Sequence, residues 1–261
     1  MYLPENKIKK SWREGKPTFG IYMRTPSPKM VEMLAYSGVD FVRVDLEAGN
    51  MNIETVENMM RAAHLAGITP IIRVPGSDER AIQHALDVGA LGVIIPEVRG
   101  RDEVYKAVRA AKLPPIGDRH AGPSSYLGGY GSVTSSEYRK WAEENIIISV
   151  QIEHKSAVDE LDEILKIEGL DMVQSGRGTL SYDYGCDGDQ YHPTIIEKEA
   201  YVMKKGLEAG KMVAIQYYPM IDENQIEIIQ NYVKQGVLCV SIGTDIDIVK
   251  AFRRLLGRIK A

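Results

Sequence analysis

Short apolar runs alternate along the chain with longer stretches in which apolar residues recur every three to four positions. The runs fall at 19–23, 41–45, 69–74, 91–96, 147–153, 171–175, 212–217 and 238–243. Several are apolar at consecutive positions rather than at every second one, as in parallel strands covered on both faces. The intervening stretches are amphipathic. Ala81, Ile82, Ala85 and Leu86 share one helical face, and so do Ile226, Ile229 and Val233. Gly38, Gly67, Gly89, Gly169, Gly210 and Gly236 each fall just before a strand, where a helix must stop and the chain must turn. Eight such repeats predict an α/β fold closed as a (β/α)8 TIM barrel, with a doubly wound open sheet as the alternative. No linker interrupts the 261 residues, so 1–261 reads as a single barrel domain.

One segment breaks the rhythm. Residues 114–136 are rich in Gly, Pro and Ser, and an uninterrupted loop of that length in a barrel predicts a lid or binding loop. Tyr126 and Tyr130 within it carry apolar surface that a disordered insertion would leave bare.

Composition narrows the class. Hydrophobic residues make up 44% of the chain, enough for a sizeable core. The net charge of −4, with no block of like charges, gives nucleic acid and membranes nothing to recognise. The basic residues Arg253, Arg254, Arg258 and Lys260 suit the end of a solvated last helix. The N-terminal residues lack the apolar core of a leader, and no stretch approaches about 20 apolar residues, so a cytoplasmic protein is expected. Two cysteines give no disulfide framework, and Cys239 lies in an apolar run that predicts burial.

In a barrel, chemistry gathers where the strands end. Those ends carry Asp45 and Glu47, Arg73, Glu97, Glu153 and the loop 175–179. Arg73 and Glu153 each close a long apolar run, so each ionised group needs a partner or a ligand at the barrel mouth. A salt bridge between the two is the plain structural reading.

Ordered blocks then carry a likeness: PTFGIYM, GVDFVRVDLE, PIIRVPGSD, LDVGALGVIIPEV, LPPIGDR, SVQIE, IEGLDMVQSG, LSYDYG with His192–Pro193, Gly210–Lys211, and VLCVSIGTD. In that order and spacing, from about Lys10 onward, the chain resembles the HpcH/HpaI aldolase family. These are metal-dependent class II aldolases that cleave 2-keto-3-deoxy acids to pyruvate and an aldehyde through a metal-stabilised enolate. The resemblance implies that Arg73 binds the pyruvate carbonyl oxygen, a task suited to a fixed positive charge. It implies that Glu153 is one of two carboxylates on a divalent metal, Mg or Mn, which acts as a Lewis acid. Gly176, Arg177, Gly178 and Thr179 match the loop whose backbone N–H groups hold the substrate carboxylate. Asp45 opens the family's motif after the second strand and is taken as catalytic. Asp87 matches an aspartate that reaches the neighbouring subunit's site, so a homo-oligomer is implied, a trimer of dimers in similar proteins.

Two positions depart from the pattern. The family motif Asp-Gly-Glu-His reads Asp45-Leu46-Glu47-Ala48, so the histidine that aids proton transfer is absent. The motif Gly-Pro-Ala-Asp-Leu-Ser reads Gly176-Arg177-Gly178-Thr179-Leu180-Ser181, so the second metal ligand is absent too. Exchanging carboxylate for hydroxyl removes a full charge from a hard-cation site, and Arg177 adds a positive one beside it. That predicts weak metal binding, or an Arg177 that grips an anionic group of the ligand. His120 and His154 are candidate replacement bases; His154 follows Glu153 in the strand and should face the other way. Asp183 and Asp187 are candidate replacement ligands by proximity in sequence. Three readings follow: a carbon–carbon lyase with a reorganised metal site, a metal-independent enzyme on the same scaffold, or a non-catalytic barrel that binds a small keto acid or dicarboxylate.

Overall fold

In the computed structural model, residues 3–216 and 224–260 are described. Eight strands form a closed parallel barrel: β1 (Thr18–Met23), β2 (Phe41–Asp45), β3 (Thr69–Arg73), β4 (Gly92–Val98), β5 (Ile147–Ile152), β6 (Met172–Ser175), β7 (Met212–Gln216) and β8 (Cys239–Thr244). Each pairs with its neighbours in sequence, and β1 closes on β8. The open-sheet alternative is thereby excluded. All eight expected runs became strands, with ends moved by one or two residues; Tyr217, expected to end the seventh, lies outside the described residues. The six glycines read as helix stops all have φ between +68° and +110°, a region in which a side chain is strained.

The helices are α1 (Lys7–Arg13), α2 (Pro28–Ala35), α3 (Ile53–Leu65), α4 (Glu79–Asp87), α5 (Arg101–Ala111), α6 (Ser135–Asn145), α7 (Lys155–Asp159), α8 (Leu161–Leu165), α9 (Arg177–Asp183), α10 (Pro193–Glu208), α11 (Asn224–Lys234) and α12 (Asp247–Lys260). None of the described helices is long and apolar enough to cross a membrane.

Strand alternation sorts side chains into two cores. Val42, Val44, Ile72, Val93, Ile95, Ile148 and Val150 point outward and pack with helix residues such as Met59, Met60, Ile82 and Leu86. Phe41, Ile71, Ile94, Ile147, Met172, Met212 and Cys239 point inward and form an apolar floor where the strands begin. Helix α1 lays Ile8 against that floor, a burial that contributes about 1.5–3 kcal/mol. Asn6 caps α1 and fastens it, donating from its side chain to Leu91 O at 2.9 Å and Asn145 O at 2.7 Å. Above the floor the inward positions turn polar, and the strand ends carry the charged groups of the mouth.

The long loop is no lid on its own chain's mouth. Helix α5 runs back toward the start of the strands, so the loop begins at the floor end. Asp118 N–H donates to Arg109 O and Arg119 N–H to Lys112 O, folding the chain back on the last turns of α5. Leu127 is buried, and Tyr126 packs over Gly89 with its ring 5.4 Å from that of His64.

Helix α12 leaves its apolar face bare. Whereas α4 buries Ile82, Ala85 and Leu86, none of the residues of α12 is buried. Val249, Phe252, Leu255, Leu256 and Ile259 are all at least half exposed.

Candidate active site

The ends of β2 and β3 meet in register, Asp45 beside Arg73. The Arg73 guanidinium grips Asp45 with both edges of its fork, Nε to Oδ1 at 2.9 Å and Nη2 to Oδ2 at 2.8 Å. Arg24 Nε adds a bond to Oδ2 at 3.1 Å, and the backbone N–H groups of Glu47 and Ala48 donate to Oδ1 at 3.1 and 3.3 Å. Burial alone would raise the proton affinity of Asp45, but the hydrogen bonds and charge of Arg73 outweigh it and hold the carboxyl below its ordinary range. Both Asp45 oxygens are thus occupied, and the side chain does not line the cavity at the mouth. Asp45 orients Arg73. The third nitrogen of Arg73, Nη1, pairs with Glu47, and Arg73 lines the cavity itself.

Across the mouth, three carboxylates converge. Glu47, Glu97 and Glu153 each bring one oxygen to within 4.8 Å of the others. Glu153 is buried, its Oε1 accepting from Glu97 N–H at 2.7 Å and its Oε2 from Gln151 Nε2 at 2.8 Å. Glu97 reaches the group because β4 bulges there. Its register against β5 shifts between Ile95 and Val98, and Glu97 itself sits at φ +56°. Such a conformation is costly for a side chain with a Cβ and concentrates at functional positions. Burial raises the proton affinity of Glu153 and of the half-buried Glu47, and neighbouring carboxylates push in the same direction. The expected Arg73–Glu153 salt bridge does not form; Arg73 pairs with Asp45 and Glu47 instead.

The loop after β6 completes the cavity. Gly176 lies so close to Glu153 that a Cβ there would fall 2.3 Å from its Oε2, so only glycine fits. Arg177, Gly178 and Thr179 begin α9, whose N-terminus carries no side-chain cap, and all three line the cavity. Arg177 is not the free positive charge expected from the sequence. It forks onto Glu199 of α10, Nε to Oε1 at 2.8 Å and Nη2 to Oε2, and Nη2 also donates to Tyr232 Oη at 2.9 Å. Burial would lower the proton affinity of Arg177; Glu199 reverses that and fixes the charge. With its charge neutralised, Arg177 does not repel a cation at the mouth.

The cavity so built has a volume of about 260 Å³, room for a small organic acid. Its hard oxygen donors, anionic and partly shielded from water, are the set a divalent ion such as Mg or Mn prefers. The residues present therefore fit a metal despite Thr179, because Glu47 and Glu97 supply the charge that Thr179 lacks.

Other sequence candidates lie elsewhere. Asp87 ends α4 at the floor end of its own barrel, paired with Arg119 at 2.7 Å, so it takes no part in this chain's own site. His120 is exposed in the long loop at that same end. His154 turns away from the cavity, its ring nitrogens 3.8 Å from Glu97 and 3.6 Å from Asp183. Asp183 accepts from Lys155 N–H at 2.5 Å and does not join the carboxylate group, nor does Asp187. Sequence reasoning missed Glu199 as the partner of Arg177. The only signal for it was that an arginine in a barrel mouth needs a counter-charge, and Glu199 lies 22 residues away in an unremarkable helix.

The family model for HpcH/HpaI aldolase/citrate lyase matches residues 18–251. A 4-hydroxy-2-oxo-heptane-1,7-dioate aldolase of Shigella flexneri is 31% identical over 241 residues, 92% of this chain and 88% of that protein. The crystal structure of an HpcH/HpaI aldolase from Desulfitobacterium hafniense DCB-2 superposes with a TM-score of 0.88 at 28% identity, covering 97% of this chain and 96% of the other. That of the citrate synthase SbnG superposes with a TM-score of 0.82 at 30% identity, covering 97% and 95%.

Proposed function

The chain belongs to the HpcH/HpaI aldolase/citrate lyase family and is an aldolase-type lyase, and on that premise we propose that it cleaves a 4-hydroxy-2-keto acid to pyruvate and an aldehyde. The observation that carries this reading is the convergence of Glu47, Glu97 and Glu153 at the mouth, where Glu47 and Glu153 line one cavity together with Arg73. Glu153 and Glu97, tied together by the backbone bond between them, would hold a divalent ion with Glu47 beside them. Bound there, the ion would supply Lewis-acid polarisation of the 2-keto oxygen.

The chain's own groups then have distinct tasks. The backbone of Gly176–Thr179 receives the substrate carboxylate. Arg73 faces the 2-keto oxygen, so its fixed charge is in place as that oxygen becomes an enolate. Glu47, whose proton affinity burial has raised, accepts the proton of the 4-hydroxyl group in place of the histidine that Ala48 replaces. As that proton leaves, the C3–C4 bond breaks, its electron pair passes to C3 and the 2-keto group, and the aldehyde departs. Protonation at C3 then gives pyruvate.

A second reading, a barrel that holds a keto acid without a metal, is favoured by Thr179, which offers no charge. Titration with Mn2+ by calorimetry, together with pyruvate release from a panel of 4-hydroxy-2-keto acids, separates the two. One bound ion and metal-dependent turnover are expected; turnover indifferent to a chelator would select the second reading.

The bare face of α12 and the exposed position of Asp87 support assembly into a homo-oligomer in which Asp87 serves a neighbouring subunit's site. Sedimentation velocity should show a species larger than one chain, and Phe252→Glu should shift it toward the monomer.

A further inference from the structure

Between the apolar floor and the mouth, Arg43 stands at an inward position of β2, fully buried. None of its three guanidinium nitrogens has a hydrogen-bond partner among the described residues. Among the described residues no carboxylate pairs with it, since Asp45, two positions on, is occupied by Arg73, Arg24 and two backbone amides. Its recorded neighbour is the Tyr22 ring, 5.7 Å from the guanidinium carbon, and the same ring is approached by Arg24 at 5.7 Å and Arg73 at 5.2 Å. Of the three, Arg24 and Arg73 reach Asp45, and Arg43 does not. The Cys239 thiol feels the charge of Arg43, but burial pushes its pKa up to about 11, so it stays protonated and supplies no counter-charge.

Three more buried polar groups face the barrel interior. Ser149, Gln174 and Ser241 lie two positions beyond the floor residues Ile147, Met172 and Cys239, so they too point inward. The hydroxyls of Ser149 and Ser241 and the Oε1 of Gln174 have no hydrogen-bond partner among the described residues. The Gln174 amide is oriented from above: Gln151 donates to Glu153 Oε2, and Gln174 Nε2 donates to Gln151 Oε1 at 2.9 Å. Its Oε1 is thereby left to accept from the barrel interior. The two hydroxyls can donate or accept, whereas the guanidinium offers five N–H donors and accepts nothing. A buried charge is retained only when paired, so Arg43 requires an anionic partner that the described residues do not place on it.

We propose that Arg43, with the hydroxyls of Ser149 and Ser241, binds one small inorganic anion of the halide class inside the barrel. An organic acid in the mouth cavity is not the ligand, because Arg43 does not line that cavity. A monatomic anion imposes no shape of its own and needs only donors, and Arg43, Ser149 and Ser241 all face the barrel interior with no partner among the described residues. The anion would neutralise the barrel interior beneath the Gln151–Gln174 chain that ends on Glu153.

Crystals of the full chain soaked in sodium bromide test the site directly. One anomalous peak beside the Arg43 guanidinium is expected; ordered water alone at that position would overturn the proposal. Thermal unfolding in chloride or bromide, at ionic strength held constant with gluconate, gives a second measure. The melting temperature should rise with halide and saturate for the native chain, and should be indifferent to halide in Arg43→Met. In gluconate alone the variant should melt at or above the native temperature, because a buried unpaired charge has been replaced by an apolar chain. A variant with the same halide response as the native chain would overturn the proposal. So would tyrosinate absorbance at neutral pH in gluconate, which would make Tyr22 the counter-charge. A bromide peak without a saturating thermal response would mean an adventitious ion only.

Discussion

On the β2–β3 side of the mouth, charge is closed: Asp45 takes Arg73, Arg24 and two backbone amides, and each oxygen is spoken for. Toward β4 and β5 it is open: Glu47, reaching over from the end of β2, joins Glu97 and Glu153, and of the three Glu47 pairs with the guanidinium of Arg73. Burial acts on both sides. In the first it is overcome, and the carboxyl of Asp45 is held in its charged form; in the second it prevails, and Glu153 and Glu47 bind protons more readily than ordinary glutamates. The first arrangement resists change and suits a scaffold. The second is short of a cation or a proton, and that shortage is what chemistry can use.

Substitutions should separate the two sides. Glu153→Gln should lower kcat by about 10²–10³-fold or more, the usual consequence of removing a preorganised charge, and should abolish Mn2+ binding in calorimetry. It should leave the metal-free protein at least as stable, since it relieves crowding among like charges; a large fall in melting temperature would contradict the open-cluster description. Asp45→Asn should act the other way, costing about 3–5 kcal/mol because it strands a buried arginine, readable by urea unfolding. An unchanged midpoint would show that Arg73 holds its place without Asp45. A smaller effect is expected from Glu199→Gln, which restores the positive charge of Arg177 beside the cluster. Mn2+ affinity should weaken on the order of tenfold, the equivalent of one pKa unit of coupling, with little change in fold by circular dichroism.

The mildest test is pH. A carboxyl whose folded proton affinity is raised favours the folded state when protonated, so stability of the metal-free protein should fall as pH rises from the ordinary glutamate value, 4.5, through the raised values of Glu153 and Glu47. Asp45 has the opposite sign. Its contribution is present above the ordinary aspartate value, 3.8, and is lost as pH falls below it through the depressed value. Chemical denaturation across the acid range should therefore show a maximum. Glu153→Gln should flatten its upper limb and Asp45→Asn its lower one.

The barrel was legible because its signals are local and repeated. The strands are short, largely apolar runs, and six of the helix stops are glycines whose positive φ a side chain would oppose. Glu47, Glu97 and Glu153 were legible as strand ends, but their convergence depends on a bulge at Glu97 that no sequence period announces. The loss of an aspartate at Thr179 pointed to a weakened metal site. The compensating charges come from two other strands, and the neutralisation of Arg177 comes from α10, contacts that only the closed fold creates. The long loop misled for the same reason. Its composition fits a lid, whereas the direction of α5 decides which end of the barrel it covers.

The seam between β1 and β8 has a consequence for how the protein is made. Thr18 donates to Leu238 O across 220 residues of chain, and until that bond forms β1 presents a bare hydrogen-bonding edge. A chain still emerging from the ribosome can pair β1 with β2 and β3, yet it cannot close the ring before its last strand is synthesised. During that interval the inward row of β1, with Gly20 and Tyr22, faces an unfinished interior. Premature termination anywhere before Cys239 would thus release an open, adhesive sheet rather than a smaller barrel.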